Sequence, residues 1–272
     1  MCGLAGFIGN STNKNLSFEI LTYLFLNSQI RGIDACGFYG HNQNQVFFHK
    51  QKGKAENLVN SNTWKDLKNL NLDLMLLHTR RTSSNSGTSE NNINNHPFVL
   101  NNSALIHNGI INNYDYNKLN EFIKTSSFCD SEILLNFLSE ADSANYLFKR
   151  LDKIRELLFF IRNSEFAFCL SDKLENFCSL WIVRNDKRPL FLIDCKQDLN
   201  QYFFVSTIEI WQDSIIKIKN INKLLTNYSI IEMPEFSIIN IYFKDNNLKE
   251  ICFNYNTYDF DEKELLIQSE SI

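Results

Sequence analysis

Between residues 165 and 243 the apolar side chains come in short runs with turn residues between them, and this pattern constrains the fold most. The runs cover 166–170, 177–183, 190–193, 202–205, 215–218, 229–231 and 237–243, each of strand rather than helix length. The earlier part of the chain reads differently. Residues 2–8 read as a short buried strand. Residues 17–30 carry Phe18, Leu21, Leu24 and Phe25 at helical spacing. Strands follow at 36–39, 46–49 and 72–77, the last running into His78-Thr79-Arg80. Helices are predicted near 116–123, from about Asp130, and over 147–161, where apolar residues alternate in steps of four and three. Strands, then helices, then many strands predict an α+β sandwich of stacked layers rather than a doubly wound parallel sheet. One domain is expected over 2–245. Beyond it, 246–272 offers a strand at 248–253 and an acidic tail, a candidate contact for a partner.

Composition removes several function classes. The 272 residues are 44% hydrophobic and include 23 Phe, enough apolar material for a large core. Lys and Arg total 27 against 31 Asp and Glu, so there is no basic surplus for a nucleic-acid backbone or an anionic membrane. No apolar stretch approaches the ~18 residues of a membrane span, and the run at 4–8 is too short for a secretory signal. Seven scattered Cys without a C-x-x-C pair, and five His at no ligand spacing, predict neither a disulfide framework nor a metal site. No cofactor is expected. The expected setting is a reducing, cytoplasmic compartment.

Four features could carry chemistry. In Met1-Cys2-Gly3, removal of Met1 would leave Cys2 with a free α-amine of pKa about 7.7–8.0, a nucleophile with its own base. Read alone, Cys2 is as well an ordinary buried thiol. His107-Asn108-Gly109 lies between apolar runs: it is a hairpin turn, or a pair of donors for an oxyanion. The strand ending His78-Thr79-Arg80 delivers a guanidinium to the edge of a polar loop over 81–95, read as mobile, where it could clamp a carboxylate or be solvated. Ser127 with Asp130 fits a capping-box-like helix start, or Asp130 is itself the N-cap, or Asp130 holds a substrate ammonium. Arg31-Gly32-Ile33-Asp34-Ala35-Cys36-Gly37 and His96-Pro97-Phe98 read as loops on their own.

In their order these motifs resemble one family. Cys2-Gly3, R-G-x-D-x-x-G, H-T-R, H-P-F, H-N-G-I-I-x-N-Y and D-S-E are similar to the class II glutamine amidotransferases, N-terminal-nucleophile glutaminases fused to synthases such as glucosamine-6-phosphate synthase. The resemblance implies a four-layer αββα sandwich and L-glutamine as substrate. It implies that Cys2 attacks the side-chain amide, that Asn108 and Gly109 form the oxyanion hole, and that Arg80 and Asp130 bind the α-carboxylate and α-ammonium. Arg31, Gly32, Asp34, Gly37, His78 and His96 become structural residues of the loops around the site. After Arg80 the sequence departs from the family's W-A-T-H-G. It reads Arg81-Thr82-Ser83-Ser84-Asn85, with Ser83 where a substrate-contacting Thr is expected.

The expectation is a stand-alone glutaminase subunit that passes ammonia to a separate synthase chain. Two alternatives keep the fold: a γ-glutamyl amide or peptide hydrolase, and a catalytically silent interaction module.

Overall fold

The computed structural model describes residues 1–83, 86–139, 146–175, 177–244 and 247–255. Thirteen strands lie among them: β1 Gly3–Ile8, β2 Ala35–His41, β3 Val46–Lys52, β4 Leu74–Arg80, β5 Phe98–Leu100, β6 Ser103–Ile110, β7 Glu165–Leu174, β8 Phe177–Arg184, β9 Phe191–Asp194, β10 Tyr202–Val205, β11 Ser229–Glu232, β12 Ser237–Lys244 and β13 Asn247–Asn254. They form two antiparallel sheets, ordered β11-β9-β10-β1-β4-β2-β3 and β13-β12-β8-β7-β6-β5.

Strand alternation sorts the core into three layers of contact. Leu4 and Ile8 of β1 meet Ala104 and Ile106 of β6 between the sheets, with Leu74, Leu76 and Ile182. Ala5 and Phe7 point the other way, towards Leu21, Phe25, Trp64 and Trp211 on helices that cover the first sheet. Leu105 and Phe168 face Leu134 and Ile154 of helices Asp130–Leu138 and Tyr146–Phe160, which cover the second. The result is the expected αββα sandwich. It also explains why the inner strands read as unbroken apolar runs, since both of their faces are buried.

Three local expectations are corrected. The predicted strand at 215–218 is the end of helix Ile208–Ile215 and the turn after it; Ile210, Trp211 and Ser214 form its buried face. Three isoleucines within four residues fit either element, and only the preceding turn of helix decides. Asn108-Gly109 is not a hairpin turn but lies inside β6, which pairs with β7 from Ser103 to Ile110. Gly109 is needed there for close approach, because a Cβ would overlap the Glu165 carbonyl oxygen and lie 2.7 Å from His107 Nε2. At the third helix start the cap is not Ser127 with Asp130. Glu132 instead accepts from the Ser126 and Ser127 backbone N–H groups, leaving Asp130 free to turn elsewhere.

The expected strand at 248–253 is β13, the edge of the second sheet. The acidic segment beyond it, and Ser84 and Asn85 of the polar loop, lie outside the described residues. No helix among the described residues is long and apolar enough to cross a membrane.

Candidate active site

Antiparallel pairing brings the motifs to one end of the sandwich. Gly3 of β1 faces Thr79 of β4, which places Cys2 beside the strand end that carries Arg80. Ala35 of β2 faces Arg80 from the other side, so 31–34 reach the same end. There they act as a clamp. Arg31 Nε donates to the Cys2 carbonyl at 2.9 Å, and Asp34 Oδ2 accepts from the Thr82 N–H at 2.7 Å. Gly32 passes so close to the Arg80–Arg81 peptide that a Cβ would overlap it, and Gly37 is pressed likewise against the His96 carbonyl.

One cleft collects Cys2, Arg80, Ser83, His96, Asn108, Gly109 and Asp130, all singled out from the sequence. Its volume is about 130 Å³, small beside the ~300–1,000 Å³ of pockets that take drug-sized ligands. Arg31, Gly32, Asp34, Gly37 and His78 stand behind its walls. Among its lining residues, sequence reasoning gave no site role to Met1, Arg81, Ser86, Ile110, Cys129, Ser131 and Arg188. Arg188 lies in the turn after β8 and pairs with Glu165 at 2.6 Å; an arginine before a proline in a polar turn carries no signal in one sequence.

The atoms around Cys2 are ordered by hydrogen bonds. Its backbone nitrogen donates to Asn108 Oδ1 at 2.8 Å, and its Sγ lies 3.8 Å from the Arg81 carbonyl oxygen. With its oxygen so engaged, the Asn108 amide directs Nδ2 elsewhere, and that nitrogen is buried without a partner. Gly109 contributes a second donor. Phe166, its partner on β7, spends both backbone groups on Asn185, so the Gly109–Phe166 pair is not hydrogen-bonded. The Gly109 N–H therefore faces the free edge of β6. On that edge the His107 carbonyl, two residues earlier, accepts from His78 Nε2 at 3.1 Å.

Arg80 is 2% exposed. It donates to Asn95 Oδ1 at 2.7 Å, to Ser86 Oγ and the Gly87 carbonyl at 3.0 Å, and to the Ser86 carbonyl. Asp130 accepts from the Ile111 N–H at 2.8 Å. Ser83 is tied to Ser86, its N–H and hydroxyl both reaching Ser86 Oγ. His107 Nδ1 meets Ser131 Oγ at 2.8 Å, and His96 stacks on His78 with ring centroids 4.0 Å apart.

Burial sets the charge states. It raises the Cys2 thiol above its ordinary pKa, and it lowers the Met1 amine, with help from Arg81, Arg31 and Arg188. Burial also takes His78 down to about 3 and lowers His96 and His107, although Asp130 pulls His107 back. The imidazoles behind the cleft are neutral at pH 7. Among the described residues no group of three His, Cys, Asp or Glu could hold a metal ion. The arrangement brings a thiol, an unpaired buried amide nitrogen, a buried cation and a carboxylate to one cleft, the kinds of group that acyl transfer uses.

No protein-family model matches the chain. It is 28% identical over its whole length to the glutamine–fructose-6-phosphate aminotransferase of Helicobacter pylori, of which it spans 43%. Against the same enzyme of Campylobacter jejuni identity is 36% over 114 residues, 42% of this chain and 18% of the relative. The chain thus spans under half the length of these curated relatives. Among solved structures, a glutamine phosphoribosylpyrophosphate amidotransferase of Bacillus subtilis superposes with TM-score 0.60 at 16% identity, over 94% of this chain and half of that one. A glutamine aminotransferase class-II domain protein of Silicibacter pomeroyi superposes with TM-score 0.55 at 14% identity, over 93% of this chain and all of that one.

Proposed function

We propose that this chain, a class II glutamine amidotransferase domain by its fold and its relatives, hydrolyses L-glutamine to glutamate and ammonia with Cys2 as nucleophile. The observation that carries the reading is the 2.8 Å contact from Cys2 N to Asn108 Oδ1, with Asn108 Nδ2 buried and unpaired beside it. It holds the future α-amine, the thiol and an oxyanion donor in one place.

The steps follow from these positions. Cleavage of the Met1–Cys2 bond turns the Cys2 amide nitrogen into an amine, a base near its working pKa at neutral pH. The amine takes the thiol proton as sulfur attacks the glutamine side-chain carbonyl. The Asn108 Nδ2 and Gly109 N–H groups stabilise the oxyanion of the tetrahedral intermediate. Collapse breaks the C–N bond, the ammonium returns its proton to the leaving nitrogen, and a γ-glutamyl thioester is left on Cys2. Water, deprotonated by the same amine, releases glutamate. Arg80 takes the substrate α-carboxylate, Asp130 the α-ammonium, and Ser83 is within the same cleft to contact the bound substrate.

Ammonia in water is mostly protonated and a poor nucleophile, so the product is passed to a synthase site. We assign this chain to a separate glutaminase subunit. A solved protein that this fold covers along its whole length supports the reading, since the domain also occurs at this size. The described parts of the polar loop, 81–83 and 86–95, and the edge strand β13 are the surfaces offered to the synthase. Seven free thiols fit a reducing, cytoplasmic setting.

Intact mass of the purified chain, with a glutamine-to-glutamate assay of wild type and Cys2→Ala, tests the proposal. Loss of Met1 together with Cys2-dependent turnover is expected. Full activity with Met1 retained would overturn the mechanism. Faster turnover of γ-glutamyl peptides than of glutamine would reassign the substrate.

A further inference from the structure

Three arginines among the described residues are buried: Arg80, Arg150 and Arg184. Two of them have acidic neighbours. Arg150 is bonded to Asp172 at 2.7 Å with both side chains almost fully buried, and Arg184 lies 3.8 Å from Glu232. Arg80 differs. Its acceptors are an asparagine oxygen, a serine hydroxyl and two backbone carbonyls, all uncharged. A buried charge held only by neutral dipoles is under-compensated, and it favours whatever anion reaches it.

Asn95 is what keeps it so. The residue is fully buried and immediately precedes the His96-Pro97-Phe98 motif. Its Nδ2 donates to the Ser89 carbonyl at 2.9 Å and to Asn92 Oδ1 at 3.0 Å. Those two acceptors fix the amide so that Oδ1, not Nδ2, meets the guanidinium. Its own carbonyl accepts from Lys50 Nζ at 2.8 Å, so one residue binds two cations through two neutral oxygens. An aspartate here would have nearly the same shape and would neutralise the pair.

We infer that Asn95 is a positioning residue for substrate recognition: its uncharged oxygen orients Arg80 while leaving the guanidinium's charge for the carboxylate of the incoming α-amino acid. The inference rests on the reading of the cleft as an amino-acid amide site. It adds that selection for a free α-carboxylate depends on the absence of an internal counter-ion at position 95.

The test uses the full chain. Affinity for L-glutamine is measured by calorimetry in a Cys2→Ala background, and KM and kcat in the Cys2 form, for Asn95→Asp and Asn95→Ser. Asn95→Asp should raise Kd and KM by about 10-fold or more with kcat changed much less, the scale of losing a charge-assisted contact. Asn95→Ser, which retains a neutral oxygen, should lose less. L-glutamine with its α-carboxyl converted to a carboxamide should bind weakly to the parent and be insensitive to Asn95→Asp. Ser86→Asp brings a carboxylate to the same guanidinium from the loop and should repeat the effect if Asn95→Asp does not fold.

Equal losses in Asn95→Asp and Asn95→Ser, or an equal loss for the carboxamide, would reduce Asn95 to packing and overturn the inference. Binding that responds to Asn95→Asp in a chain with no turnover would sink the glutaminase reading and uphold this one. Neither binding nor turnover would sink both.

Discussion

The backbone nitrogen of Cys2 and the side-chain oxygen of Asn108 lie 2.8 Å apart across 106 residues of sequence. This contact orients the Asn108 amide, because its oxygen faces Cys2 and its Nδ2 is buried without a partner. Asn108→Asp keeps the oxygen and removes the donor. We expect kcat for glutamine to fall by about 10²–10³-fold, the scale of one oxyanion donor, with little change in KM. A variant that loses affinity and retains turnover would show that Nδ2 faces no developing charge.

For Arg80→Ala the balance reverses. In the proposed mechanism the guanidinium binds the substrate and not the reacting atoms. The expected outcome is a rise in KM of about 10–100-fold, the worth of hydrogen bonds to a charged group, with kcat reduced much less. Steady-state kinetics with glutamine measure both. Unchanged KM would remove Arg80 from the substrate site.

Two glycines tie the motifs to the cleft by close approach. Gly109→Ala forces the side chain against the Glu165 carbonyl and to 2.8 Å from Phe166 Cα, and Gly32→Ala pushes on the Arg80–Arg81 peptide. Each should destabilise the fold by about 1–3 kcal/mol in urea unfolding. Each should also lower activity beyond the folded fraction lost. An alanine at either position with wild-type stability would mean the backbone yields there at no cost.

Stability should fall on the acid side of neutrality. Burial lowers His41 and His78 to about 3, whereas in the unfolded chain they titrate near 6.5. The folded form therefore binds fewer protons between these values. Its stability is complete above about pH 6.5 and declines as pH drops towards 3, by up to ~1.4 kcal/mol per pH unit for each histidine. Urea midpoints at pH 7.5, 6.5 and 5.5 measure the slope. His41→Asn, which lies away from the cleft, should reduce it. A flat profile would contradict neutral burial.

What the sequence disclosed about the site was its inventory and not its directions. Cys2, Arg80, Asn108, Gly109 and Asp130 line one cleft, and the order of the motifs was enough to group them. Asn-Gly, by contrast, read as a turn because local propensity has no access to β7, the strand that makes Gly109 necessary. The run at 215–218 reads as a strand for a related reason, although it closes the helix Ile208–Ile215. A short apolar run fits both periods, and only the partners of Trp211 choose between them. Asn95 and Arg188 were silent. Their roles rest on contacts with residues 15 and 23 positions away, and polar loop residues leave no periodic trace.

Strand β1 occupies the interior of its sheet, between β4 and β10. Its second neighbour ends at Val205. On the ribosome the sheet beside Cys2 cannot close until that residue has emerged.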